Sequence, residues 1–181
     1  GTHKKNKFNV KYAITVNSWT SGLICAVGAL DINPGDEIIL PTWTMSACSA
    51  AILHWNAIPV FAEVEVNSFN LNPEKLPAAL AAGKEAGIDV VGIIGVGLFG
   101  QPANYGAIKT FADANGLWLV DDAAQSFGAA LNDQPVGQLA DVTCTSFFPA
   151  KPLGAYGDGG AVFTDDTKIA EIIRSCRVHG M

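Results

Sequence analysis

Two hydrophobic rhythms alternate along this chain. Short, largely apolar runs at Tyr12–Val16, Glu37–Leu40, Ile58–Ala62, Val90–Ile94, Leu117–Val120, Val142–Phe147 and Ala161–Thr164 are bounded by turn residues, the pattern of buried strands. Between them, Thr20–Leu30, Met45–His54, Pro73–Ala86, Pro102–Asn115 and Asp166–Val178 read as helices. Start and stop signals agree with this reading. Asn72 caps a helix that has Pro73 at its first position, and Gly116 ends the next helix. Asp165 or Asp166 opens the last helix and Arg174 and Arg177 close it, matching the helix dipole. Asn33-Pro34-Gly35-Asp36 is a turn. Strands alternating with helices of about a dozen residues imply βαβ units. The expected fold is α/β: a three-layer sandwich with a mostly parallel central sheet covered on both faces. In such sheets the ligand lies beyond the carboxyl ends of the strands, so chemistry belongs just after each strand.

Composition narrows the function. A chain of 181 residues fits one domain. At 49% hydrophobic and 15% charged it is too apolar and too poor in charge for disorder. Its apolar stretches are short and broken, so no membrane span is expected. The segment Gly1 to Lys11 is polar and basic (Lys4, Lys5, Lys7, Lys11) and lacks the apolar stretch of a secretory signal, which predicts a cytoplasmic protein. A net charge of −6 argues against nucleic acid as partner. Beyond those four lysines only seven basic residues remain, so an anionic ligand would be held by backbone amides, hydroxyls and a few placed cations. Cys25, Cys48, Cys144 and Cys176 are far apart and form no C-x-x-C; they read as buried free thiols, with no metal site expected.

Four strand ends carry candidate chemistry. Asn17-Ser18-Trp19-Thr20-Ser21-Gly22 runs from a strand into a helix, where free amides and hydroxyls can bind an anion or Ser18 or Thr20 can simply cap the helix. In Pro41-Thr42-Trp43-Thr44, Trp43 can stack on a flat ring or fill core. Asp121 and Asp122 are adjacent carboxylates at the end of a buried strand; either one of them has a cationic partner, or one caps a short helix while the other faces water. In the run Ser146 to Gly160, Lys151 is the only basic residue between Lys109 and Lys168. Pro152 biases it towards extended backbone. A lysine held among apolar groups has a lowered pKa and becomes nucleophilic, whereas a loop lysine is ordinarily solvated. Gly95-Val96-Gly97-Leu98-Phe99-Gly100 also matches the dinucleotide fingerprint G-x-G-x-x-G, but Pro102 places the following helix after the glycines rather than within them.

Taken together, these segments resemble the DegT/DnrJ/EryC1/StrS family of sugar aminotransferases, fold type I enzymes dependent on pyridoxal 5'-phosphate (PLP). The resemblance rests on Asn33-Pro34-Gly35-Asp36-Glu37, Phe69-Asn70-Leu71-Asn72-Pro73, Phe99-Gly100-Gln101-Pro102, Arg177-Val178-His179-Gly180 and, most specifically, Asp122-Ala123-Ala124-Gln125 and the run from Ser146 to Gly160. It implies that Lys151 forms the Schiff base with PLP and moves the proton. It implies that Asp122 pairs with the protonated pyridine nitrogen, that Gln125 lies beside the phenolic oxygen, and that Trp43 stacks on the ring. Thr20 and Ser146 match phosphate contacts, with backbone amides near Trp19 helping. Two positions depart from the family pattern: Trp19 stands where Gly is usual, and Gly97 where His or Asp is frequent.

The activity implied is transfer of an amino group, with glutamate as donor, to a nucleotide-linked ketosugar. The Phe148–Gly154 stretch resembles members acting in surface-polysaccharide biosynthesis. A homodimer is implied, because the family's active site forms at a dimer interface. Relative to the family, residues 1–181 correspond to the PLP-binding large domain, incomplete at both ends and lacking the small C-terminal domain. Three other readings are open. The family's sugar dehydratases carry His at the lysine position, so Lys151 opposes them. A truncated, non-catalytic PLP fold would bind without turnover. A dinucleotide-binding protein is the third.

Overall fold

The computed structural model describes residues 9–180. The basic stretch that bears on targeting therefore lies mostly outside the described residues. Five helices and nine strands follow in the order β1 (Tyr12–Val16), α1 (Trp19–Gly28), β2 (Glu37–Pro41), α2 (Ser46–His54), β3 (Ile58–Ala62), α3 (Leu76–Glu85), β4 (Val90–Val96), α4 (Tyr105–Asn115), β5 (Trp118–Asp122), β6 (Ala130–Leu131), β7 (Gln134–Pro135), β8 (Val142–Ser146), β9 (Gly160–Thr164) and α5 (Thr167–Arg177). Seven strands form one sheet in the order β1-β9-β8-β5-β4-β2-β3. Only β9 opposes the others: it is antiparallel to both β1 and β8, and every other pairing is parallel. The expected α/β sandwich with a mostly parallel sheet is what forms.

The period-two alternation of the strands divides the core. Ile38, Leu40, Ile94, Val120, Val142, Cys144 and Val162 face one side, against α1, α2 and α5. Ile39, Ile93 and Leu119 face the other, against α3 and α4. A smaller cluster of Val10, Phe147, Ala161 and Phe163 covers the β9 end of that second face. At about 25 cal/mol per Å² of apolar surface, these two layers supply most of the favourable free energy of folding.

Local differences from the sequence reading have local causes. The segment predicted as a helix from Pro73 begins as a 3-10 turn, Pro73–Lys75, and becomes α-helical at Leu76. Pro77 has no N–H to give to the carbonyl of Pro73, so the first turn tightens before the helix runs. Helix α4 begins at Tyr105 rather than Pro102, because the Asn104 side chain accepts from the Ala107 amide and caps it there. Gly116, left-handed at φ 68°, ends it as expected. The helix thus starts beyond the Gly95–Gly100 glycines, as argued against a dinucleotide site. Asp166 caps α5 through its contact with the Ile169 amide, and Arg177 at the far end donates to the Thr15 carbonyl of β1. Among the described residues no helix is long and apolar enough to cross a membrane, and no cluster of His, Cys, Asp and Glu could hold a metal ion.

Candidate active site

Because β1, β2, β4, β5 and β8 all point the same way, their carboxyl ends meet at one edge of the sheet. A cavity of about 420 Å³ opens there. Each strand end contributes to it: Ser18, Trp19 and Thr20 after β1, Thr44 and Met45 after β2, Val96 from β4, Asp122, Ala124 and Gln125 from β5, and Ser146 and Lys151 from β8. Strand register explains the grouping. Val96 pairs with Asp122, and Ser146 pairs with Gly160, which pairs with Val16. Alternation turns Asp122 and Ser146 towards the α1 and α2 face, and Asp121 to the other.

Helix α1 aims its amino end at this cavity. Ser18 is its cap, accepting from the Ser21 amide at 3.1 Å, which leaves Thr20 free to line the cavity. No acidic residue occupies the first turn, so the positive end of the helix dipole is uncompensated. The helix reaches this position only because residue 160 is glycine. A Cβ there would lie 2.8 Å from the Thr145 carbonyl oxygen and 2.9 Å from the Trp19 nitrogen. Both are backbone atoms that cannot swing aside. Gly160→Ala is expected to cost roughly 1–3 kcal/mol by overpacking, read as a lower thermal midpoint, and to shift the start of α1 in the amide chemical shifts of Trp19 and Thr20.

Asp122 is 3% exposed. Its Oδ1 accepts from the Ala124 amide at 3.0 Å, and its Oδ2 from the Cys48 thiol at 3.3 Å. Burial raises its pKa to about 6, against the pull of those donors, of the Trp19 indole and of Lys151. The indole N–H of Trp19 is buried and completes no hydrogen bond of its own, yet it lies close enough to favour the charged carboxylate. Asp121, fully buried on the opposite face, accepts from the Tyr105 hydroxyl at 2.5 Å and leaves Oδ2 unpartnered. Burial pushes it up to about 7, with the charge of Asp122 adding to the shift. Of the two sequence expectations for this pair, neither holds in full. No ion pair forms at either carboxylate among the described residues, and neither faces water.

Lys151 lines the cavity and is the only basic residue among the described residues that do so. It is not enclosed by apolar groups as expected. It sits half-buried in a loop whose neighbours from Phe148 to Asp158 are mostly exposed, its amide held by the Phe148 carbonyl. Gln125 Oε1 accepts from the Phe99 amide at 2.8 Å, which leaves its amide nitrogen for the cavity. Ser146 is buried, and its hydroxyl accepts from the Phe148 amide at 3.2 Å. Trp43 does not line the cavity. It is 57% exposed and tilts against Phe69 at 5.7 Å, because the apolar ring of Phe69 offers it a contact outside the cavity mouth. Met45, Cys48 and Asp158 join the site only in the structure; Thr44 precedes the helix expected from Met45, so helical spacing gave no signal for its contact with Cys48.

The quoted motifs are joined by specific bonds. Asn70, 2% exposed, accepts from the Leu98 amide and donates to the Gln101 carbonyl, tying the Phe69–Pro73 segment to Phe99–Pro102. At Gly97, a Cβ would sit 2.2 Å from the Ser126 hydroxyl, so Ser126 fills the space a side chain at 97 would take.

A family model, the DegT/DnrJ/EryC1/StrS aminotransferase family, matches residues 4–181. The chain belongs to this family. It is 41% identical over 170 residues to the UDP-2-acetamido-2-deoxy-3-oxo-D-glucuronate aminotransferase of Pseudomonas aeruginosa, covering 94% of this chain and 46% of that one. A DegT/DnrJ/EryC1/StrS aminotransferase from Brucella abortus superposes with a TM-score of 0.93 at 38% identity, covering 96% of this chain and 47% of its own. NtdA from Bacillus subtilis, solved with bound cofactor PMP, has a TM-score of 0.86 at 28% identity, covering 95% and 37%. The chain thus spans about half the length of the curated relatives it matches.

Two aspects of this DegT/DnrJ/EryC1/StrS member suit a phosphorylated pyridine. The α1 amino end with Thr20 and Ser146 can take a phosphate without any cation. Across the same cavity, a buried carboxylate with no ion-pair partner is the group that a protonated ring nitrogen would satisfy.

Proposed function

We propose that this protein holds PLP between Lys151 and Asp122 and serves an aminotransferase that moves an amino group from glutamate to a keto carbon of a nucleotide-linked sugar. The observation that carries the reading is Asp122, a desolvated carboxylate that among the described residues lacks an ion-pair partner, sharing one cavity with Lys151, the one amine among the described residues that line it. The similarity to a UDP-sugar aminotransferase supports the substrate class.

Bound there, PLP would supply a covalent handle for amino groups and a ring that draws off electrons. The protein's own residues do the rest. The amides opening α1, with Thr20 and Ser146, bind and orient the phosphate end. Asp122 keeps a proton on the ring nitrogen by staying charged beside it. Gln125 offers its amide nitrogen towards the phenolic oxygen. Lys151 provides the nucleophilic nitrogen, and the same atom accepts a proton and returns it elsewhere. We propose that the working form is a homodimer. In support, Trp43, Phe69 and Phe99 form a run of exposed aromatic rings in mutual contact, an apolar surface that a second subunit would cover.

The test is a PLP titration followed by dialysis, then addition of glutamate, then of UDP- or dTDP-linked ketosugars. The expected result is an absorbance band that survives dialysis, shifts on adding glutamate with release of 2-oxoglutarate, and returns as an aminosugar appears by mass spectrometry. PLP that dialyses away unchanged would overturn the reading. A stable band that does not respond to glutamate would point to a cofactor-binding protein without turnover.

A further inference from the structure

The thiol of Cys48 is the feature the proposed chemistry does not use. Cys48 is the third residue of α2, in its first turn, and is fully buried. Its sulfur is 3.3 Å from Asp122 Oδ2 and 3.3 Å from the Thr44 hydroxyl. Thiols carry one proton, and a carboxylate can only accept, so the bond directions are fixed: Thr44 donates to sulfur and sulfur donates to Asp122. Thr44 lines the cavity from the segment just before α2, four residues ahead of Cys48, and its hydroxyl reaches the sulfur from there. The result is a relay from the cavity wall through the thiol to the carboxylate.

We infer that Cys48 is a positioning residue: its thiol donates to Asp122 Oδ2 and, with the Ala124 amide on Oδ1, fixes the plane and the charged state of the carboxylate that faces the cavity. Two donors on two oxygens stop the carboxylate from rotating and leave its remaining lone pairs for the ring nitrogen of a bound cofactor. Cys48 is not a nucleophile here, since burial and the neighbouring Asp122 charge push its pKa far up and keep it a thiol. The other titratable or polar groups around Asp122 are Trp19 from α1, Cys144 beside it on β8, Lys151 from the loop after β8, and Asp121 with Tyr105 behind the strand. Among the described residues none of these completes a side-chain hydrogen bond to Asp122, whereas Cys48 does.

The significance of the relay for catalysis rests on the PLP reading, but its test does not. Protein labelled with carbon-13 at aspartate carboxyls is titrated without cofactor, the Asp122 resonance being assigned by its loss in Asp122→Asn. Cys48→Val, which keeps the bulk and removes the donor, is expected to raise the midpoint by roughly one pH unit. Cys48→Ser, which restores a donor, is expected to stay within a few tenths of a unit of wild type. Thr44→Val is expected to move it upward by less, and decides the matter if Cys48→Val does not fold. An unchanged midpoint in Cys48→Val, or equal shifts in the valine and serine variants, would overturn the inference. A second readout is PLP affinity, expected to fall about tenfold in Cys48→Val. Failure of wild type to bind PLP would count against the proposed function alone and would leave the carboxyl titration standing.

Discussion

Replacing Lys151 with alanine is expected to eliminate borohydride-reducible attachment of PLP and to lower transamination by about 10³-fold or more, since nucleophile and proton carrier are lost in one side chain. Among the described residues the cavity gives no substitute: every other one that lines it is neutral or acidic. Stability should hardly change, within about 0.5 kcal/mol, because Lys151 makes no ion pair among the described residues and sits in a mostly exposed loop. Lys151→Arg separates two roles. The guanidinium keeps a positive charge across from Asp122 but cannot be deprotonated to attack a carbonyl. It should retain part of the non-covalent PLP affinity that alanine loses, while showing no reducible attachment. Borohydride reduction followed by mass spectrometry of the peptide containing residue 151 reads this directly. Attachment that persists in both variants would move the nucleophile to another residue.

Short continuous apolar runs made most of the seven-stranded sheet legible, because strands such as Val90–Val96 and Trp118–Asp122 are covered on both faces and carry apolar residues at successive positions. Strand ends then located the cavity, since a mostly parallel sheet gathers Ser18, Thr44, Asp122 and Ser146 at one edge whatever the details of packing. What sequence could not show depends on which side chain wins a shared space. Trp43 was a candidate ring-stacking residue by position, yet Phe69 holds it outside the cavity. Lys151 was expected to lie among apolar groups because its neighbours in sequence are apolar, but those neighbours, Leu153 and Tyr156 among them, are exposed. The departure at Gly97 is intelligible only once Ser126 is seen to fill that space. The short hairpin of β6 and β7 left a faint signal in Asn132-Asp133, both left-handed at φ 49° and 64°, as a tight two-residue turn requires. Two-residue strands are too brief for periodicity to reveal.

Asp121 and Asp122 should make the cofactor-free protein lose stability as pH rises from about 4 to about 7. The sign follows from burial. Both carboxyls have folded pKa values raised above the ordinary 3.8, to about 7 and about 6. Between the unfolded and folded values the native state binds more protons than the unfolded state, so stability falls with increasing pH. The penalty is absent below about pH 4 and fully present above about pH 7. For Asp122 alone it is on the order of 2–4 kcal/mol. Asp122→Asn should therefore be more stable than wild type at pH 8 and nearly equal to it at pH 4, as measured by denaturant unfolding at the two pH values. The same substitution removes the charge that a protonated ring nitrogen needs, so it should weaken PLP binding while it strengthens the fold. Wild type loaded with PLP should show a shallower loss between pH 4 and 7, because a cation beside Asp122 brings its pKa back down. A carboxylate that destabilises the empty protein and is relieved by its ligand belongs to a binding site rather than to the core. If Asp122→Asn gains nothing at pH 8, the carboxylate is already compensated within the protein, and the case for a cationic ring at this position falls with it.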